Sequence, residues 1–212
     1  MSRPRYLNQI KNRIDEFEPR AVFTASDFAD ITDVKTAHMS LSRLTKENVI
    51  RKVCRGIYLK PKFSKFLNEE LKARADDIAH AIARNFGWTI IPSDATALNL
   101  LGLSTQVPAK WQYISDGPYK EFDIDGTTIS FKHTNKNSEL ARVSYQTALV
   151  IRALKALGKE NISESVIRAV SDRLNTTEKQ ELLSEAKYST SWIYEAVKQI
   201  CREDNVCDQL QN

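Results

Sequence analysis

The sequence predicts an α+β protein: an N-terminal winged helix-turn-helix, then a mixed α/β domain that ends in a helical segment. Three observations lead there. Three helical patterns and a hairpin signal fit within about the first sixty residues, an economy of elements typical of winged helices. Basic charge is concentrated in that stretch: residues 1–64 carry 13 Lys and Arg against 7 Asp and Glu, whereas residues 65–212 carry 18 against 20. Past Gly87 the chain changes to short strand-like runs and then returns to a helical period.

Tyr6, Ile10, Ile14 and Phe17 recur every three or four residues, so the first segment reads as an amphipathic helix ending near Pro19. In "TASDFADI", Thr24 is a candidate N-cap with Asp27 three residues on, which opens a short second helix. Thr32 or Asp33 caps a third. Its apolar stripe is Val34, Ala37, Leu41 and Leu44, and the opposite stripe holds Lys35, Thr36, Met39, Ser40 and Arg43. "VIRKV" and "GIYLK" flank an Arg55-Gly56 turn and predict a hairpin, the wing.

From Lys65 to Phe86 the text "KFLNEELKARADDIAHAIARNF" predicts a long connecting helix, stopped by Gly87. The expected domains are thus 1–64 and 65–212. "WTIIPSDATALNLLGLSTQVPAKWQYISDG" reads as strand, short helix, loop and strand. "EFDIDGTTISFKHT" is the clearest hairpin, with Asp125-Gly126 between alternating runs. The pattern is helical from Glu139. Val143, Thr147, Val150, Ile151 and Leu154 share one face up to Gly158, Ser163 or its neighbour caps a further helix, and Trp192, Ala196, Val197 and Ile200 mark the last. Residues after Glu203 are expected to fray.

The window 35–62 holds eight cations and one acid, Glu47. A helix of this size fits the major groove of duplex DNA, where side chains on its outward stripe reach base edges while wing cations meet phosphates. The DNA-binding residues predicted on this basis are Lys35, Thr36, Ser40 and Arg43 on the helix, with Arg51, Lys52, Arg55 and Lys60 on the wing. The same cations would also suit the solvated face of a small α+β domain; agreement of pattern with charge favours DNA.

Other classes find less support. There is no apolar run of about 18 residues and no charged-then-apolar leader, so neither a membrane partner nor secretion is expected, and the cytoplasm is the expected location. Three scattered cysteines (Cys54, Cys201, Cys207) without a C-x-x-C, and three separated histidines (His38, His80, His133), suggest neither a disulfide framework nor a metal site. No cofactor is expected. Asp123-Ile124-Asp125 has the spacing with which nucleotidyltransferases present two metal-binding carboxylates. It lacks their upstream Gly-Ser at a helix start, and Asp125 belongs to the Asp-Gly turn. Neither a G-x-S-x-G elbow nor a phosphate-cradling G-x-x-x-x-G-K-[ST] loop occurs, and a non-enzymatic protein is expected. "LGLSTQVP" reads as a loop whose small polar residues satisfy its backbone groups or form a partner-facing ledge, His133 as a structural residue, and Trp111 and Tyr113 as core neighbours on a strand.

The run "PSDATALNLLGLSTQVPAKWQYISDGP", together with "FKHT" at Phe131–Thr134 and the basic front, resembles the AbiEi-type antitoxins of bacterial type IV (abortive infection) toxin–antitoxin systems, and in particular a shorter branch of them. The match is strongest at Leu100–Pro108, Ser115–Gly117 and Phe131–Thr134 and weakens after about residue 160. The resemblance implies a winged helix that represses its own operon by binding promoter DNA. It also implies a C-terminal domain that counters a nucleotidyltransferase-fold toxin encoded beside it. The alternative is a winged-helix protein whose C-terminal domain is a metal-dependent, nucleic-acid-directed enzyme, with Asp123 and Asp125 as candidate metal ligands.

Overall fold

The computed structural model describes residues 6–66, 68–106, 108–135 and 143–202. The chain is α+β with a helical C-terminal segment, and it divides into two compact units: residues 1–89 with 122–129, and residues 90–121 with 130–212.

The first unit opens with α1 (Tyr6–Glu16), whose Ile10 and Ile14 are buried as their spacing requires. Strand β1 (Val22–Thr24) leads into Ala25–Phe28. The Thr24 amide donates to the Asp27 carboxylate at 2.7 Å, so the expected cap is present, but it starts a single 3-10 turn and not an α-helix. The amides of Ile31 and Thr32 both turn back to the Phe28 carbonyl, which ends the turn and delivers Asp33 to the next helix. Helix α2 (Val34–Lys46) is capped by Asp33, which accepts from the Thr36 amide at 3.0 Å and the Thr36 hydroxyl at 2.7 Å. Ala37, Leu41 and Leu44 are buried against Ile10, Ile14, Phe23 and Phe28. Val34, expected in that stripe, is 46% exposed. It occupies the first helical position, outside the core cluster.

Strands β2 (Arg51–Cys54) and β3 (Ile57–Leu59) form the expected hairpin, and Gly56 at φ +82° supplies the left-handed position of its turn. Strand β1 pairs antiparallel on the other side of β3, giving the order β1-β3-β2. Three residues are too few for an alternation signal, so β1 was not expected. Phe17, Phe23 and Phe28 pack with ring centroids 5.4–6.0 Å apart and join the helices to the sheet.

The connecting helix expected over 65–86 is corrected. Strand β4 (Phe63–Ser64) pairs antiparallel with β5 (Glu69–Glu70) as a small hairpin, and α3 spans only Ala75–Phe86. The Arg20 guanidinium donates twice to the Lys72 carbonyl, at 2.9 and 2.6 Å, and the Lys72 ammonium donates to the Asp125 carbonyl at 3.0 Å. Such tertiary contacts outweigh the weak preference of Lys, Leu and Glu for helix. Helix α3 ends at Gly87, φ +69°, as expected, and packs on β1 and β3, so the expected boundary at residue 64 falls inside the first unit.

In the second unit β6 (Ile90–Pro92) and β7 (Lys110–Ser115) pair antiparallel on either side of α4 (Asp94–Leu100) in sequence. With β8 (Lys120–Ile124) and β9 (Thr127–His133), of which residues 122–129 are counted with the first unit, they make a sheet of order β6-β7-β9-β8. The β8–β9 turn has Asp125 at φ +52° and Gly126 at φ +81°, the signs of a type I′ turn, as Asp-Gly predicts. Tyr113 is fully buried and stacks on Phe131 at 5.9 Å, while Trp111 is half-buried.

The helical segment comprises α5 (Tyr145–Leu157), α6 (Glu164–Ser171), α7 (Thr176–Glu185) and α8 (Ser191–Arg202). Ser144 and Ser163 cap the first two through their hydroxyls, and Gly158 follows α5. Val150, Leu154, Ile167, Val170, Leu182, Ile193, Val197 and Ile200 are among the residues of their common core. Helix α7 was not singled out from the sequence, although its Asn175–Glu178 capping box is plain. The expected helix onset at Glu139, the fraying after Glu203, Cys207 and Val107 of "LGLSTQVP" lie outside the described residues.

Candidate nucleic-acid interface

At about 100° per residue, α2 presents Lys35, Met39, Ser42 and Lys46 on its outermost line, with His38 and Arg43 to either side. Lys35, Met39, Ser42, Arg43 and Lys46 are exposed, and Met39, at 58%, is the largest apolar group there. His38, Met39, Ser42, Arg43 and Lys46 line a shallow depression along this face. Lys35 sits in the first turn, and Arg43 makes an i,i+4 ion pair with Glu47 at 3.0 Å. An exposed pair of this kind is worth only about 0.3–0.5 kcal/mol, so Arg43 exchanges it readily for another acceptor.

Two residues predicted on the reading stripe do not face solvent as that role requires. Ser40 is only 8% exposed, and its hydroxyl donates to the Thr36 carbonyl at 3.0 Å. It lies with Ala37, Leu41 and Leu44 on the buried arc. Thr36 is half-buried with its hydroxyl on Asp33, where the two hydrogen bonds hold the Asp33 carboxyl below its usual pKa. Thr36 completes the cap of α2. The sequence stripe was centred too far round the helix, and the full i, i+4, i+7, i+11 line through Lys35, Met39, Ser42 and Lys46 was the signal for Ser42 and Lys46.

The four cations predicted on the wing also separate. Lys52 and Arg55 are exposed, with no carboxylate at ion-pairing distance among the described residues. Arg51 is held by two acids: its Nη2 donates to Asp125 at 2.9 Å, and its buried Nε lies 3.1 Å from Glu70 without the alignment of a hydrogen bond. Lys60 points to α1, where its ammonium donates to the Asp15 and Phe17 carbonyls. Sequence reasoning counted the charge of Arg51 and Lys60 correctly and misplaced its use, because their partners are up to 74 residues away. At the end of β2, burial pushes the Cys54 thiol up in pKa and so disfavours the thiolate, against a smaller opposing effect of Lys52.

The Asp123 and Asp125 carboxylates serve local structure. Asp123 accepts from the Thr128 hydroxyl at 2.6 Å, and Asp125 takes Arg51. Among the described residues no cluster of three or more His, Cys, Asp or Glu is arranged to hold a metal ion, and no helix is long and apolar enough to cross a membrane.

What the geometry defines is an α+β protein with a basic, partly apolar helix face and a cation-tipped hairpin in its first unit. The chain belongs to DUF6088, a family of unknown function, whose model matches residues 9–182, from within α1 to within α7. No curated protein matches it.

Proposed function

We propose that the protein is a DNA-binding antitoxin of the type IV class. On this reading its first unit is a winged helix-turn-helix that binds duplex DNA at its own promoter and represses its operon, and the remainder of the chain counters a nucleotidyltransferase-type toxin. The observation that carries the DNA reading is the exposed face of α2, which sets Lys35, Arg43 and Lys46 around Met39 and Ser42. Three cations and one hydroxyl there are the groups that meet guanine edges, phosphates and either base type, and a methionine suits a thymine methyl. Lys52 and Arg55 on the β2–β3 hairpin are suited to phosphates beside the groove. The order α1, 3-10 turn, α2, hairpin, with β1 closing the sheet, supports the winged-helix assignment. The antitoxin half rests on the sequence resemblance around "LGLSTQVP", "SDG" and "FKHT".

The test has two arms. Full-length protein is titrated against a fluorescent duplex of its own promoter at several salt concentrations. Tight binding at low salt, weakening with a log–log slope of about −0.9 per phosphate contacted, is expected, and no binding at low salt overturns the DNA assignment. In the second arm the protein is co-expressed with an adjacent nucleotidyltransferase-type gene. Restored growth is expected, and unrelieved toxicity overturns the antitoxin assignment.

A further inference from the structure

The β4–β5 hairpin carries a pattern that the α2 face and the wing do not absorb. Lys62-Phe63-Ser64-Lys65-Phe66 alternates cations with phenylalanines, and Phe63 is 59% exposed while Phe66 is 95% exposed. A hairpin whose strands have two residues each has little stability of its own. Here its base is fixed: the Leu71 amide donates to the Lys62 carbonyl at 2.8 Å, Arg20 holds the Lys72 carbonyl, and Arg51 of β2 lies 3.1 Å from Glu70 of β5. Phe63 stands opposite Glu70 in the ladder, so the acid on that face is the one Arg51 neutralises. Lys62, Lys65 and Phe66 are left exposed on a fixed base. Arg51 thus acts as a positioning residue, tying this hairpin to the wing strand.

We infer that this hairpin is a second DNA-contacting element, in which Phe66 wedges against or between base pairs while Lys62 and Lys65 hold the flanking phosphates. The inference rests on the DNA-binding reading and extends it. Duplex DNA is the occupant the surface fits. An apolar ring stacks on any base, cations at the adjacent positions meet the backbone on either side of an opened step, and the segment follows the wing directly in the chain. A surface built for a protein partner would gain from a broader apolar area than isolated rings separated by lysines.

Full-length protein is titrated against promoter duplexes carrying 2-aminopurine at successive steps. Wild type should raise the fluorescence at one step, as unstacking requires. Phe66→Ala should abolish that rise and weaken binding about tenfold with the salt slope unchanged, because losing a stacking contact releases no counterion. Phe66→Trp should restore both. Lys62→Ala and Lys65→Ala should each lower the salt slope by about 1. The ring is almost wholly exposed, so these variants leave the fold intact, and circular dichroism verifies it. Wild-type binding with Phe66→Ala equal to it in affinity and fluorescence overturns the hairpin contact and leaves the DNA reading standing. Loss of toxin co-purification in Phe66→Ala with DNA binding unchanged overturns it in favour of a protein partner. No wild-type binding at low salt overturns both.

Discussion

Lys60 closes the C-terminal end of α1: its ammonium donates to the Phe17 carbonyl at 2.6 Å and to the Asp15 carbonyl at 2.8 Å. The last carbonyls of a helix lack intrahelical donors and carry the negative end of its dipole, so a cation there satisfies both. Lys60 is therefore a stability residue of the first unit. Lys60→Met should cost about 1–2 kcal/mol in urea unfolding, since it removes charge-assisted hydrogen bonds from a half-buried position. It should leave the salt slope of DNA binding unchanged. Lys52→Ala and Arg55→Ala should do the reverse, lowering the slope by about 1 each at unaltered midpoint. A reduced slope with Lys60→Met at native stability would return this residue to the phosphate-contacting set.

Arg43 and Ser40 are three residues apart and play opposite parts. Arg43 projects from α2 with only a weak exposed partner, whereas Ser40 returns its hydroxyl to its own helix. Arg43→Ala should relax the preference for one base pair by about 1–3 kcal/mol, read as the ratio of affinities for promoter and random duplex. Ser40→Ala should leave that ratio as in wild type, because the serine shows no group to the groove. A ratio that moves with Ser40→Ala and stays fixed with Arg43→Ala would mean that α2 is rotated from its reading orientation.

How much of this was legible in the sequence depended on the range of the interactions involved. Asp33 and Ser163 cap their helices through hydrogen bonds spanning three residues, and the Asp125-Gly126 turn needs only its own two dihedrals, so each could be read directly, whereas the Ser144 cap was not singled out. The β4–β5 hairpin could not. "KFLNEELK" favours a helix locally, but its Glu70 and Lys72 are held by Arg20, Arg51 and Asp125, none of which is near it in the chain. Ser40 was misassigned for a different reason. A serine next to an apolar stripe looks solvent-facing unless its back-bond to Thr36 is known, and that bond is what permits its burial. Lys52 and Arg55 are exposed on the hairpin, an arrangement that needs no distant partner.

His133 provides a pH signature in the second unit. Its Nδ1 lies 2.9 Å from the Gly117 carbonyl and its Nε2 2.7 Å from the Asn135 amide oxygen, so both ring nitrogens face acceptors. The hydrogen bond to Gly117 comes first, then that to Asn135, in raising its pKa above the ordinary 6.5. A group whose folded pKa is raised contributes stability that is fully present below the unfolded value and is lost as pH rises through the folded one. The difference in melting temperature between wild type and His133→Ala should therefore be largest below about pH 6.5 and shrink as pH rises through the folded pKa. A difference that grows with pH would mean that the neutral ring is the favoured form.

Asp123 and Asp125 separate a binding protein from an enzyme. If the protein acts by binding, their charges serve local structure, and Asp123→Asn and Asp125→Asn should leave protection against the neighbouring toxin intact. The amide of Asp123→Asn can still accept from the Thr128 hydroxyl, which lies 2.6 Å from the native carboxylate. At position 125 the backbone has φ +52°, a conformation asparagine tolerates as well as aspartate, so the type I′ turn survives. What Asp125→Asn loses is the 2.9 Å ion pair with Arg51, whose partners are both more than a third exposed. Such a pair contributes about 0–1 kcal/mol, too little to unfold the unit. A metal-dependent transferase would behave differently, because replacing a carboxylate by an amide removes the charge a divalent ion requires. Growth rescue with each variant, at matched soluble protein, is the measurement, alongside an assay of wild type for metal-dependent nucleotide transfer. Rescue by both variants with no transfer activity is the expected result. Lost rescue from folded Asp123→Asn, or nucleotide transfer by wild type that this substitution abolishes, would make the β8 carboxylates catalytic.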